Sequence, residues 1–230
     1  MHIMEGFLPA AWCIAWWLVA LPCLALGVRE LRRVLSSDRE SLPLLGVTGG
    51  FVFILSSLKL PSVTGSSSHP TGTGLSAVSF GPWVTTVVGA IVLLFQALFL
   101  AHGGLSTLGA NIVSMGVAGP LVGWGVYRAL RDSPVGIYTT VFLAASFADL
   151  FTYLTTSLQL ALAYPAQVGG AWSSFIIFLG IFAVTQVPLA ILEAVILVLV
   201  FKYIVQLRPG ILIRLKVFSE GRILAARSDG

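Results

Sequence analysis

Residues 87–101 read VVGAIVLLFQALFLA, an apolar run broken by one polar side chain, Gln96. A membrane-barrel strand alternates apolar and polar positions over about 10 residues, and this run does not alternate. Lipid offers no partners to backbone N–H and C=O groups, so a continuous run of this kind crosses a bilayer only as a helix. Similar runs cover about 7–28, 42–60, 108–130, 137–163 and 171–207. The whole chain of 230 residues is 57% hydrophobic and 10% charged, with a mean hydropathy of +0.97. A soluble domain would carry about 25% charged residues. The expected fold class is therefore an all-α integral membrane protein, with residues 1–230 forming one transmembrane domain. The net charge of +4 sits at segment ends, where it sets orientation and argues for no nucleic-acid partner.

Basic residues face the cytoplasm. RELRR at 29–33 and the basic tail at 208–230 are placed there, which puts the N-terminus outside and the C-terminus inside a plasma membrane. The polar stretch TGSSSHPTGTG at 64–74 is rich in turn formers and returns to the outer side after two crossings. An outside start and an inside end require an odd number of crossings. Dividing 171–207 at TQVP, 185–188, brings the count to seven. That scheme leaves YRALRDSP, 127–134, outside despite two arginines, and His102 inside. Cys13 and Cys23 lie ten residues apart, about 80° off a shared helix face, and read as apolar packing residues rather than a disulfide.

The chain opens MHIMEGFLP, residues 1–9. It lacks the basic region and small-residue cleavage site of a signal peptide, and the bulky His2 is expected to protect Met1 from removal. A free amine at Met1, the amide nitrogen of His2 and the His2 Nδ1 close a five-membered and a six-membered chelate ring. These three nitrogens lie in one plane around a small ion, leaving one in-plane position open. Square-planar nitrogen sites suit Ni(II) and Cu(II). His69 is the natural fourth ligand: it falls on the outer side, in the loop 61–74, and Pro70 restricts it to an extended backbone. On this reading residues 1–9 and 61–74 together bind a metal. Residues placed to support the ligands are Glu5, Ser67, Ser68, His102 and Asn111. A side-chain amide at Asn111 can also tie helices together.

Four stretches carry a resemblance: MHIMEGFLP, LPSVTGSSSHPTGTGLSAVSFGP (60–82), LLFQALFLAHGGLSTLGANIVSMGVAGP (93–120) and FADLFTYLTTSLQLALAYP (147–165). They resemble the cobalt/nickel substrate-binding (S) components of energy-coupling factor transporters, the CbiM/NikM family. The resemblance implies the S-component helical core with one added N-terminal helix, about seven in all. It carries the ligand set over to Met1, His2 and His69, for Co2+ or Ni2+ as the transported ion, with no cofactor. Many relatives have a cysteine where this chain has Ser67, so a thiol is not an essential ligand. Implied partners are a transmembrane coupling (T) component, two cytoplasmic ATPases and, for some relatives, a small extra membrane subunit. The chain contains no G-x-x-x-x-G-K-[ST] stretch, so ATP hydrolysis falls to a partner.

Other classes stay open on the residues alone. A stand-alone metal carrier or channel would need no ATPase. An intramembrane hydrolase would recruit Ser68 beside His69, but neighbours on an extended strand point apart, and no H-E-x-x-H run is present. Asp149 and Glu193 fall well inside apolar segments, where acids face a partner or a cavity; pairing inside the protein is the preferred reading. The small residues Ala11, Ala15, Ala20 and Gly27 permit close approach of another helix, and in S components such faces meet the coupling subunit.

Overall fold

The computed structural model describes residues 1–61 and 65–228. The short strand β1 (His2–Ile3) comes first, followed by the long helix α1 (Ala10–Ser37). Then follow α2 (Ser41–Ser57), β2 (Leu60–Pro61), β3 (Ser66–Ser68), α3 (Thr73–Phe80) and α4 (Pro82–Phe99). The chain continues through α5 (Leu108–Asn111), a π-helical stretch (Ile112–Ala118) and α6 (Gly119–Leu130) as one broken helix, and then α7 (Ile137–Ala163) and α8 (Gly170–Leu207). The tail folds into α9 (Pro209–Arg214) and α10 (Glu220–Ser228).

Among the described residues, five helical stretches are long and apolar enough to cross a membrane: α1, α4, the α5–α6 unit, α7 and α8. α2 is a shorter apolar helix of 17 residues. Large apolar side chains such as Leu18, Val47 and Val184 point outward, as expected where the surrounding solvent is lipid and burial within the protein is not required. α1 lies against α4, crossing closest at Gly27, where a Cβ would sit 2.6 Å from Trp83 O and 2.8 Å from Val87 Cγ2. Ala20 and Gly27 are thus buried against the protein's own helices, while Ala11 stays exposed. Cys13 and Cys23 are free and pack in two different apolar clusters.

One expectation is overturned. Residues 170–207 are not divided at TQVP: α8 runs unbroken for 38 residues, with Pro188 inside it. Proline removes one ladder donor, which transmembrane helices tolerate because neighbouring groups re-satisfy the carbonyl. The seventh pass is instead α3, eight residues that begin just past His69 and end at Gly81. Gly81 shares a cavity with Asp38, Phe80, Arg128, Arg131 and Arg214. α3 therefore ends at the basic end of the bundle and α4 runs back from there to the N-terminal end. An apolar helix of eight residues is too short to register as a crossing in a hydropathy reading, and it merges with α4 across Gly81.

This correction moves two other features. His102, after α4, lies at the N-terminal end of the bundle beside His2, not at the opposite end. YRALRDSP joins RELRR and the tail at the basic end. There Arg214 pairs with Asp38 and, at 2.6 Å, with Glu40, and Arg222 donates to the carbonyls of Arg131 and Val135. The Tyr127 hydroxyl donates to Val217 O, so the tail docks on the bundle.

Candidate metal centre

A three-stranded sheet builds the site at the N-terminal end. β3 is the central strand, pairing antiparallel with β1 (His2 opposite Ser67, Ile3 opposite Ser66) and with β2 (Leu60 opposite Ser68). Met4 N–H donates to Gly65 O at 2.9 Å, extending the pairing. Irregular backbone at membrane depth survives only when buried in protein, and Met1, His2, Ile3, Ser68 and His69 are all fully buried. Met1 packs with Tyr153, Leu160 and Phe182.

The broken helix holds the first residues in place. Asn111 accepts from Ile3 N–H at 2.8 Å and donates to Ile3 O at 3.0 Å, acting as one more strand neighbour. Thr107 Oγ1 donates to the same carbonyl at 2.8 Å. Four residues on, Met115 Sδ lies 3.3 Å from His2 Nε2. The π-helical stretch begins just after Asn111, in keeping with the frequent use of such bulges at functional sites. Gly103, at φ +76°, brings the backbone under His2; a Cβ there would lie 3.1 Å from Asn111 Nδ2. Glu5 is exposed and accepts from Ser106 N–H at 3.1 Å. That hydrogen bonding to Ser106 holds its carboxyl below the usual carboxylate range. These bonds tie the turn after β1 to the segment that precedes α5.

Three imidazoles meet in this pocket. Ring nitrogens of His2, His69 and His102 all lie within 4.8 Å of one another, with ring centroids 4.2 to 4.8 Å apart. His2 Nδ1 is 3.1 Å from His102 Nε2, which is also 2.9 Å from Ser67 Oγ. His69 Nδ1 lies 2.8 Å from Pro70 O, to which it donates. That bond fixes the tautomer and leaves His69 Nε2 bare, and this buried atom has no hydrogen-bond partner. Ser68 Oγ pairs with Thr185 Oγ1 at 2.8 Å, not with His69. His102 Nδ1 has no partner, so no acid orients His102 as a base toward Ser67, as a hydrolase would need.

Burial sets the charge state. It lowers the Met1 amine from 8.0 to about 6, with Asp149 and Glu193 pulling partly the other way. Desolvation, then the neighbouring imidazoles and amine, hold His2 well below its ordinary value; desolvation and the amine do the same to His69. His102 falls to about 3, chiefly through burial. At neutral pH the cluster presents nitrogen lone pairs, the form in which a metal is bound.

The family model described as "Cobalt uptake substrate-specific transmembrane region" matches residues 2–211. The chain belongs to the CbiM family. A CbiM 2 protein of Methanosphaerula palustris is 65% identical over 230 residues, 100% of this chain and 98% of that protein. A fused CbiMQ protein of Methanocorpusculum labreanum is 54% identical over 240 residues, 100% of this chain and 39% of its own length. The crystal structure of a truncated transition metal transporter aligns at a TM-score of 0.77 and 26% identity, covering 89% of this chain and 98% of that one. The CbiM fold here is that of an S component, and CbiM chains are subunits of a cobalt transport system rather than enzymes.

Within this CbiM chain the sheet brings together Met1, His2, Ser67 and His69, and the turn after α4 adds His102. Sequence reasoning missed Met115, Thr107 and Gln186. Met115 was legible only as one helical turn beyond Asn111; Gln186 stood out as a polar residue in TQVP, where it read as a divider. Replacing Asn111 with alanine leaves Ile3 N–H buried without a partner, which costs about 1–3 kcal/mol. Asn111→Ala is expected to lower the unfolding temperature in detergent and to weaken Co2+ binding by roughly 10–100-fold, the scale for outer partners of a metal site. Calorimetry of the variant, with and without Co2+, checks both.

Proposed function

We propose that this chain is the capture (S) subunit of an ATP-driven importer, taking Co2+ or Ni2+ from outside the cell. The ion is held by the Met1 amine, the His2 amide and imidazole nitrogens, and the His69 imidazole. The observation that carries this reading is His69 Nε2, buried, unpartnered and fixed in its tautomer, on a ring whose centroid lies 4.2 Å from that of His2 and 4.8 Å from that of His102. Chelation through His2 Nδ1 exchanges its contact with His102 for the ion, and His102 Nε2 keeps Ser67 Oγ as a partner. His102 and Ser67 thereby support the ligands from behind.

Cobalt stands first, in line with the family's description, and nickel stays beside it because planar nitrogen ligation suits it. The basic end, with Arg29, Arg32, Arg33, Arg128, Arg131 and the tail, faces the cytoplasm by the positive-inside rule. The site then lies toward the outer side. A T component and two ATPases power release inward. The fused CbiMQ relative, of which this chain matches 39%, supports a partner working alongside this domain.

Proteoliposomes holding the chain alone or with the T component and ATPases decide the coupling. Accumulation of Co2+ is expected only with the full module and ATP. Equal uptake by the chain alone would replace this reading with a stand-alone carrier.

A further inference from the structure

Among the described residues, the charged side chains that are fully buried are Asp149 and Glu193, both acids, and no lysine or arginine is buried with them. Asp149 reaches the metal loop through one bridging group, and Glu193 binds that loop directly. Gln186 Nε2 donates to both Asp149 oxygens, at 2.9 and 3.0 Å, and also reaches His69 O at 3.3 Å. Glu193 accepts from Thr71 N–H, from Thr71 Oγ1 at 3.0 Å and from Gly72 N–H at 2.9 Å. Gly72, at φ +70°, turns the chain from His69 into α3.

These acids are partnered by hydrogen bonds alone. Asparagine at 149 could still accept from Gln186, and glutamine at 193 would keep one of the two acceptor oxygens, both without the desolvation cost of a buried charge. Something must offset that cost, and the neighbouring ligand set shows what. Apart from one amide nitrogen, the proposed ligands are neutral. A divalent ion moved from water into this buried pocket needs opposite charge close by, and Asp149 and Glu193 are carboxyl groups buried behind the loop that holds His69.

We infer that Asp149 and Glu193 supply the counter-charge for the divalent ion held by Met1, His2 and His69, acting as positioning residues through Gln186 and the Thr71–Gly72 backbone. This rests on the metal site proposed above. It also gives α7 and α8, which pack along each other, an electrostatic stake in whether the ion is bound.

The test is titration of purified wild type, Asp149→Asn and Glu193→Gln with Co2+ in detergent, alongside thermal unfolding without metal. Asp149→Asn retains an acceptor for Gln186, so its metal-free unfolding temperature is expected to be unchanged or raised. Its Co2+ affinity is expected to fall at least about tenfold, and the Co2+-induced rise in unfolding temperature to shrink with it. Glu193→Gln is expected to lose Co2+ affinity to a similar degree and stands as the second variant if the first does not fold. Wild-type affinity in either folded variant overturns the inference, as does a loss of affinity matched by an equal loss of metal-free stability. If folded wild type itself binds no Co2+, the site reading fails first and this inference falls with it.

Discussion

Extending the chain by one residue ahead of Met1 is expected to weaken Co2+ binding by at least about 100-fold, beyond the 10–100-fold that outer partners of metal sites carry. Two causes act together. The extension removes the primary amine from its position one residue before His2, so the five-membered chelate ring no longer forms. It also has nowhere to go: Met1 is fully buried among Tyr153, Leu160 and Phe182, and His2 is registered opposite Ser67. A longer start must either leave the pocket or break the β1–β3 pairing. Titration with Co2+ reads the affinity, and circular dichroism confirms that the helices persist. A tagged N-terminus that binds as tightly as the native one removes the amine from the ligand set.

The second large effect separates His69 from His102. His69→Ala deletes a buried, unpartnered imidazole nitrogen whose tautomer is fixed with its lone pair free. Its loop stays held by β3 pairing and by Glu193 on Thr71 and Gly72, so the fold is expected to survive while Co2+ binding falls to background. His102→Ala leaves Met1, His2 and His69 in place and is expected to cost roughly 10–100-fold, as an orienting partner does. Calorimetric titration of both variants checks the order. If His102→Ala is the more damaging, His102 is itself a ligand and the planar arrangement is wrong. Unchanged binding in His69→Ala takes the loop out of the site.

Much of the fold was readable in the chain because lipid leaves few options. The apolar runs could only be helices, and the arginines gather at their ends. The same logic misled at 171–207, where length suggested two crossings. It missed α3, whose eight residues are held in the bundle by packing against α4, α6 and α7 and by Glu193 at its start, not by apolar length. The error carried His102 to the wrong end, because each crossing miscounted reverses every residue after it. Asp149 and Glu193 were expected to pair inside the protein, and they do, with Gln186 and with the Thr71–Gly72 backbone.

What the residues determine by themselves is local chemistry. His2 next to a free amine, and Pro70 after His69, define chelate rings and a backbone angle through a few covalent bonds, whatever the rest of the molecule does. The sheet that joins β1 to β3, the Asn111 clamp on Ile3, the arrival of His102 and Met115 beside His2, and the two buried acids behind the loop belong to the tertiary structure alone. Each joins positions more than 30 residues apart, and no spacing rule reaches across such a distance. Their placement is decided by how seven passes pack, and by the need to satisfy every polar group in a medium that offers no water.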